Sequence, residues 1–203
     1  MYIPRTRVIP VVSALAAAVV LGVVGPLMGK FDHPVSQAVG LVFSSGWAWA
    51  GFAFLVGFSR RSRIESALLA SSTLAVAVIV YYVFKFVFPT APVGLGVAYA
   101  SGEDLGSKIF AWGTAAFVLG APVGLFGNLA RTRGVVGLPL RLLIPLTAFY
   151  ETSMRLETEA AGLGPVVAIT WNAVRIASGV AFVALLVHAL MTWRAQRGEA
   201  AAD

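Results

Sequence analysis

A glutamate at position 151 and an arginine at position 175 lie inside two long apolar runs of this chain. At membrane depth a charged side chain costs about 2.5–3.5 kcal/mol even on lenient insertion scales. Leucine would span a bilayer without that cost, so both positions read as site residues. A carboxylic acid held among apolar and aromatic groups can remain protonated and deliver its proton to an alkene or epoxide. Aromatic faces nearby then stabilise the developing carbocation by cation–π attraction. In this chemistry Glu151 is the acid, and Asp104 is a second carboxylate or its orienting partner. Trp47, Trp112, Tyr150 and Trp171 form the wall, extended by Phe149, Tyr81 and Asn172, while Arg175 orients Glu151 or holds a polar head group. The opposing possibility is a buried Glu–Arg pair that only fixes helix packing. With no cysteine and two widely separated histidines, His33 and His188, no metal site or other cofactor is expected.

Helical spacing gathers these groups. Arg141, Ile144, Ala148, Glu151 and Arg155 recur at intervals of three and four and share one face. Counted from Val136, Glu151 lies about 22 Å along its helix, in the outer half of a bilayer. Asp104, Lys108 and Trp112 enter from the outer side on another helix, as do Trp171, Asn172 and Arg175 on the last. Tyr81, Tyr82 and Lys85 end a third helix there, so a one-sided polar cavity is expected. Glu151–Arg155 and Asp104–Lys108 also fit local ion pairs, and Trp112 and Trp171 also fit interfacial anchors.

The chain has 203 residues, 59% hydrophobic and only 12% charged. A soluble domain would be near 25% charged, so the solvent is a bilayer. Six segments reach the roughly 20 residues needed to cross it: about 8–29, 35–58, 64–88, 105–130, 136–156 and 164–193. The expected fold is all-α, a six-helix transmembrane bundle forming one domain over residues 1–203. Arg5, Arg7, Arg60, Arg61, Arg63, Arg131, Arg133, Arg194 and Arg197 all fall on one side of these spans. The positive-inside rule then puts both termini in the cytoplasm and the protein in the cytoplasmic membrane. The net charge of +6 is spread over these short loop clusters, which excludes a phosphate-tracking nucleic-acid surface. The run from Val8 to Met28 is too long for a cleaved signal and reads as a first helix. Gly120-Ala-Pro-Val-Gly124 and Gly127 suit close helix approach, as do Ser13/Ala17 and Ala14/Ala18. The Pro89–Asp104 loop is read either as an outer lid or as a plain connector.

The size, helix number, lack of a metal motif and membrane-depth carboxylates resemble the small bacterial membrane-bound terpene cyclases of indole-sesquiterpenoid pathways. That resemblance implies metal-independent cyclisation of a lipid-soluble prenylated substrate, begun by acidic residues. Ser45-Gly-Trp47, Gly120-Ala-Pro-Val-Gly124, Gly127 and Glu151 also look like uncharacterised actinobacterial small multi-pass membrane proteins. No Asp-Asp-x-x-Asp run is present, which disfavours polyprenyl synthase and transferase chemistry. The alternative resemblance is to substrate-binding components of energy-coupling-factor vitamin transporters. It implies that Ser13/Ala17 and Ala14/Ala18 dock a partner, and that Arg175, Lys108 and Arg155 bind an anionic ligand. A structural membrane protein without a ligand is the third reading.

Overall fold

Long apolar runs with few breakers close their own backbone hydrogen bonds, which is the condition for lying in lipid. The computed structural model describes residues 5–89, 102–132, 134 and 137–200, with side chains for 9–89, 105–132, 134, 137–159 and 162–194. Residues 90–101 of the expected lid loop lie outside this set, as does the side chain of Asp104. The helices are α1 (Arg5–Met28), α2 (Pro34–Phe43), α3 (Gly46–Phe58), α4 (Arg63–Val87), α5 (Gly102–Leu129), α6 (Leu138–Thr158), α7 (Ala160–Leu163) and α8 (Pro165–Ala200). No strand occurs among the described residues, so the fold is all-α.

Four helices, α1, α4, α5 and α8, are long and apolar enough to cross a membrane. The expected span over 35–58 needs correction, because it is two helices bent by 59° at a break between Phe43 and Gly46. Counted as one crossing, the pair makes a fifth candidate. Serine and glycine are weak helix formers, and Phe43-Ser-Ser-Gly46 concentrates them. Helix α6 has the length of a span but carries Arg141, Glu151, Arg155 and Glu157, so it lacks the apolar composition of the others.

Local signals set the helix ends. Ser62 Oγ accepts the N–H of Glu65 to start α4, and His33 Nδ1 accepts the N–H of Val35 at the start of α2. Gly164 at φ 93° turns the chain between α7 and α8, and Pro165 opens α8. Packing relies on small residues. A methyl group added at Gly57 would run into the backbone of Gly124, and one at Gly127 into the carbonyl of Phe54, so α3 and α5 touch backbone to backbone. Gly120 and Gly124 lie equally close to Ser71, Ala70 and Ser66 of α4. Ala18 and Leu21 of α1 pack on Ala77 of α4. Such close approach replaces the hydrophobic drive that lipid cannot supply.

One end of the bundle is fastened by basic side chains. Asn128 Nδ2 and Arg131 Nη1 donate to the carbonyl of Arg60 at 2.6 and 2.9 Å. Arg141 donates to the carbonyls of Ala130 and Thr132, and Arg60 pairs with Glu65 at 3.3 Å. At the opposite end Lys30 lies 5.3 Å from the ring centre of Phe88 and 5.9 Å from that of Phe84.

Candidate functional site

The α2–α3 break leaves backbone groups without helical partners in the middle of an apolar segment. Side chains take them up. Trp49 Nε1 donates to the carbonyl of Phe43 at 2.8 Å, and Ser45 Oγ donates to Val42 at 2.6 Å. On the α3 side, Ser45 is the N-cap residue but its side chain makes no capping bond. Glu151 of α6 does so instead: its Oε1 accepts the N–H of Gly46 at 3.0 Å, and its Oε2 accepts that of Trp47 at 2.7 Å.

The magnitudes explain why a glutamate is tolerated here. Each unsatisfied backbone group in hydrocarbon costs several kcal/mol, against about 2.5–3.5 kcal/mol for one acidic side chain. Two N–H groups outweigh one carboxylate. The partial positive charge of a helix N-terminus adds to the effect. A Cβ at Gly46 would stand 3.1 Å from Glu151 Oε2, so a larger residue there would press the carboxylate outward from its two N–H donors.

Arg155 extends the arrangement outward. Its Nε donates to Glu151 Oε1 at 3.0 Å, and its Nη1 to Glu159 Oε1 at 2.8 Å. The guanidinium also lies 5.1 Å from the ring centre of Trp171, whose Nε1 donates to Glu159 Oε2 at 3.2 Å. Trp171 is 0% exposed. Glu151, Arg155, Glu159 and Trp171 therefore form one connected group that ties α3, α6 and α8 together.

The other expected site residues disperse. Arg175 does not reach Glu151; it donates to Asn172 Oδ1 at 3.0 Å. With Phe149 it borders a groove of about 740 Å³ along α8. Tyr81 packs edge-on against Trp49, at 6.0 Å between ring centres, and beneath Lys85. Trp112 and Tyr150 face outward, 59% and 66% exposed. A single aromatic wall around Glu151 is thus not assembled: Trp171 is buried against Arg155, and Trp47 faces another space. That space is a cleft of about 650 Å³ between α1, α2, α3 and α6, where Phe43, Trp47, Phe52, Phe54 and Ile144 are among its lining residues. The Nε1 of Trp47 is buried without a hydrogen-bond partner.

The Glu151–Arg155 ion pair stands at the i, i+4 spacing that the sequence offered. Three working residues have no such local signature or only a faint one: Trp49, Glu159 and Asn128. A lone Asn closing an apolar helix was the available signal for the last. No protein-family profile, curated protein or solved structure matches this chain.

Proposed function

We propose that this is a six-crossing membrane protein that takes a lipid-soluble molecule from the bilayer into the cleft between α1, α3 and α6. The cleft is the observation that carries the reading: about 650 Å³, apolar, and walled by aromatic rings at the level of the helix break. That volume is typical of small-molecule sites. A prenyl chain suits such a wall. The sixth crossing in this reading is α6, whose charges Glu151 and Arg155 neutralise each other. Both termini are then cytoplasmic, on the side of Arg60, Arg131 and Arg141.

Glu151 acts in this reading as a helix cap and not as a proton donor. Both of its oxygens accept hydrogen bonds, which leaves neither free to hand a proton to an alkene. Cyclisation within the cleft would need a different acid. A second reading, a transport component, is favoured by the α2–α3 break, since discontinuous helices build many transporter sites. Here the N-terminus of α3 is already occupied by Glu151, so an anionic cargo would have to displace it.

The test is labelling with a diazirine-bearing prenyl alcohol in proteoliposomes. Saturable labelling confined to α1, α2, α3 and α6 is expected. Ala48→Phe, which fills the cleft, and Leu55→Trp, which narrows its rim, should each reduce it. Labelling that never saturates, or that spreads evenly over all helices, would overturn the reading.

A further inference from the structure

Arg175 is an arginine within a long apolar helix, and among the described residues it has no carboxylate partner. Its hydrogen bond to Asn172 satisfies a single N–H of the five that a guanidinium offers. Two cations at similar depth are engaged, Arg155 by two glutamates and Lys85 over Tyr81. An intramembrane charge left in this state is by default a site for an opposite charge.

The surroundings define that opposite charge further. Arg175 borders a groove of about 740 Å³ that follows α8 past Ile176, Val180, Val183 and Val187 to His188. Thirteen helical steps separate Arg175 from His188, about 20 Å at the helical rise. A furrow of that length takes a single long alkyl chain laid out in extended form. Helical side chains lean toward the N-terminus, and the bond to Asn172 shows Arg175 doing so. The guanidinium therefore sits above the apolar furrow, on the side of the helix start at Pro165.

We propose that the α8 groove binds a long-chain fatty carboxylate, with Arg175 and Asn172 holding the head group and the alkyl tail lying along Ile176–Val187. A planar carboxylate can be gripped by two parallel N–H bonds from guanidinium, an arrangement that a neutral alcohol cannot reproduce. One furrow accommodates one tail, which favours a fatty acid over a diacyl lipid. This site shares no lining residue with the α1/α3/α6 cleft, so it stands independently of that assignment.

The experiment is equilibrium binding of radiolabelled palmitate to the purified full chain in maltoside micelles. Saturable binding is expected, at least tenfold weaker in Arg175→Gln and intermediate in Arg175→Lys, which keeps the charge but loses the two-pronged grip. Val180→Trp, which obstructs the furrow without touching the head-group site, should also weaken it. Hexadecanol should bind at least tenfold less tightly than palmitate. The proposal is overturned by non-saturable uptake, by equal binding to Arg175→Gln, or by hexadecanol matching palmitate. Phosphatidylglycerol displacing palmitate at lower concentration would assign the groove to phospholipid instead. Unfolding of each variant is monitored by tryptophan fluorescence. If Arg175→Gln does not fold, the hexadecanol and Val180→Trp comparisons decide.

Discussion

Glu151 Oε2 accepts the backbone N–H of Trp47 at 2.7 Å across 104 positions of sequence. The bond joins a helix start inside one apolar segment to the side chain of another. Its purpose is visible in what it replaces: the water that an interrupted helix would use at a protein surface.

Replacing that carboxylate tests the cap directly. Glu151→Gln keeps one acceptor oxygen, so one backbone N–H loses its partner and Arg155 loses part of its counter-charge. Hydrogen bonds to charged groups are worth about 1.5–3 kcal/mol. At about 2–4 °C per kcal/mol for a chain of this size, Tm should fall by roughly 3–12 °C in detergent. An unchanged Tm would remove Glu151 from this role.

The paired tryptophans should respond in opposite directions. Trp49→Phe strips the Phe43 carbonyl of its donor and should cost about 1–3 kcal/mol. Trp47→Phe deletes an indole N–H that has no partner, so stability should hold or rise. Thermal melts of the two variants side by side give the comparison, and equal losses would contradict it.

Glycines separate in the same way. Gly57→Ala pushes a methyl into the Gly124 backbone, and overpacking of this kind costs about 1–3 kcal/mol or more. A methyl at Gly113 meets nothing within 4 Å, and removing a helical glycine gains up to about 1 kcal/mol. Chemical denaturation should therefore rank Gly113→Ala above the parent chain and Gly57→Ala well below it. The reverse order would mean that α3 and α5 are further apart than the structure places them.

Orientation is open to a clean experiment because the chain has no cysteine. Asp32→Cys should react with a membrane-impermeant maleimide on intact cells. Arg61→Cys should react only after permeabilisation. Labelling of both from outside would break the proposed topology.

The helical ends were legible because an apolar run of bilayer length, closed by Arg or Ser, has few other conformations available. The break at Ser44–Ser45 was not. Ser-Ser-Gly reads equally well as spare room beside a tryptophan, and only Glu151 and Trp49, folded back from elsewhere, make an interruption affordable. Helix rotation was the second loss. In a soluble protein a polar face reveals which side of a helix looks inward. Lipid is as apolar as the interior, so nothing in the sequence told Trp112 and Tyr150, which face out, from Trp171, which is buried. Glu151 was recognisable as costly, and helical spacing offered Arg155 as its partner, but its two backbone donors at Gly46 and Trp47 belong to a distant helix start that spacing alone does not bring to it.

The long sequence gap behind the Glu151 cap also orders events during synthesis. At about 5–20 residues per second, roughly 5–20 s separate the appearance of Trp47 from that of Glu151 on the ribosome. Through that interval the second hydrophobic segment has an open helix end and no partner to close it. It must be sheltered by the insertion machinery, or wait at the membrane surface, until α6 arrives. Maturation of the amino-terminal half of this protein is thus completed by its carboxy-terminal half, and a nascent chain halted before residue 151 should leave that segment unsealed.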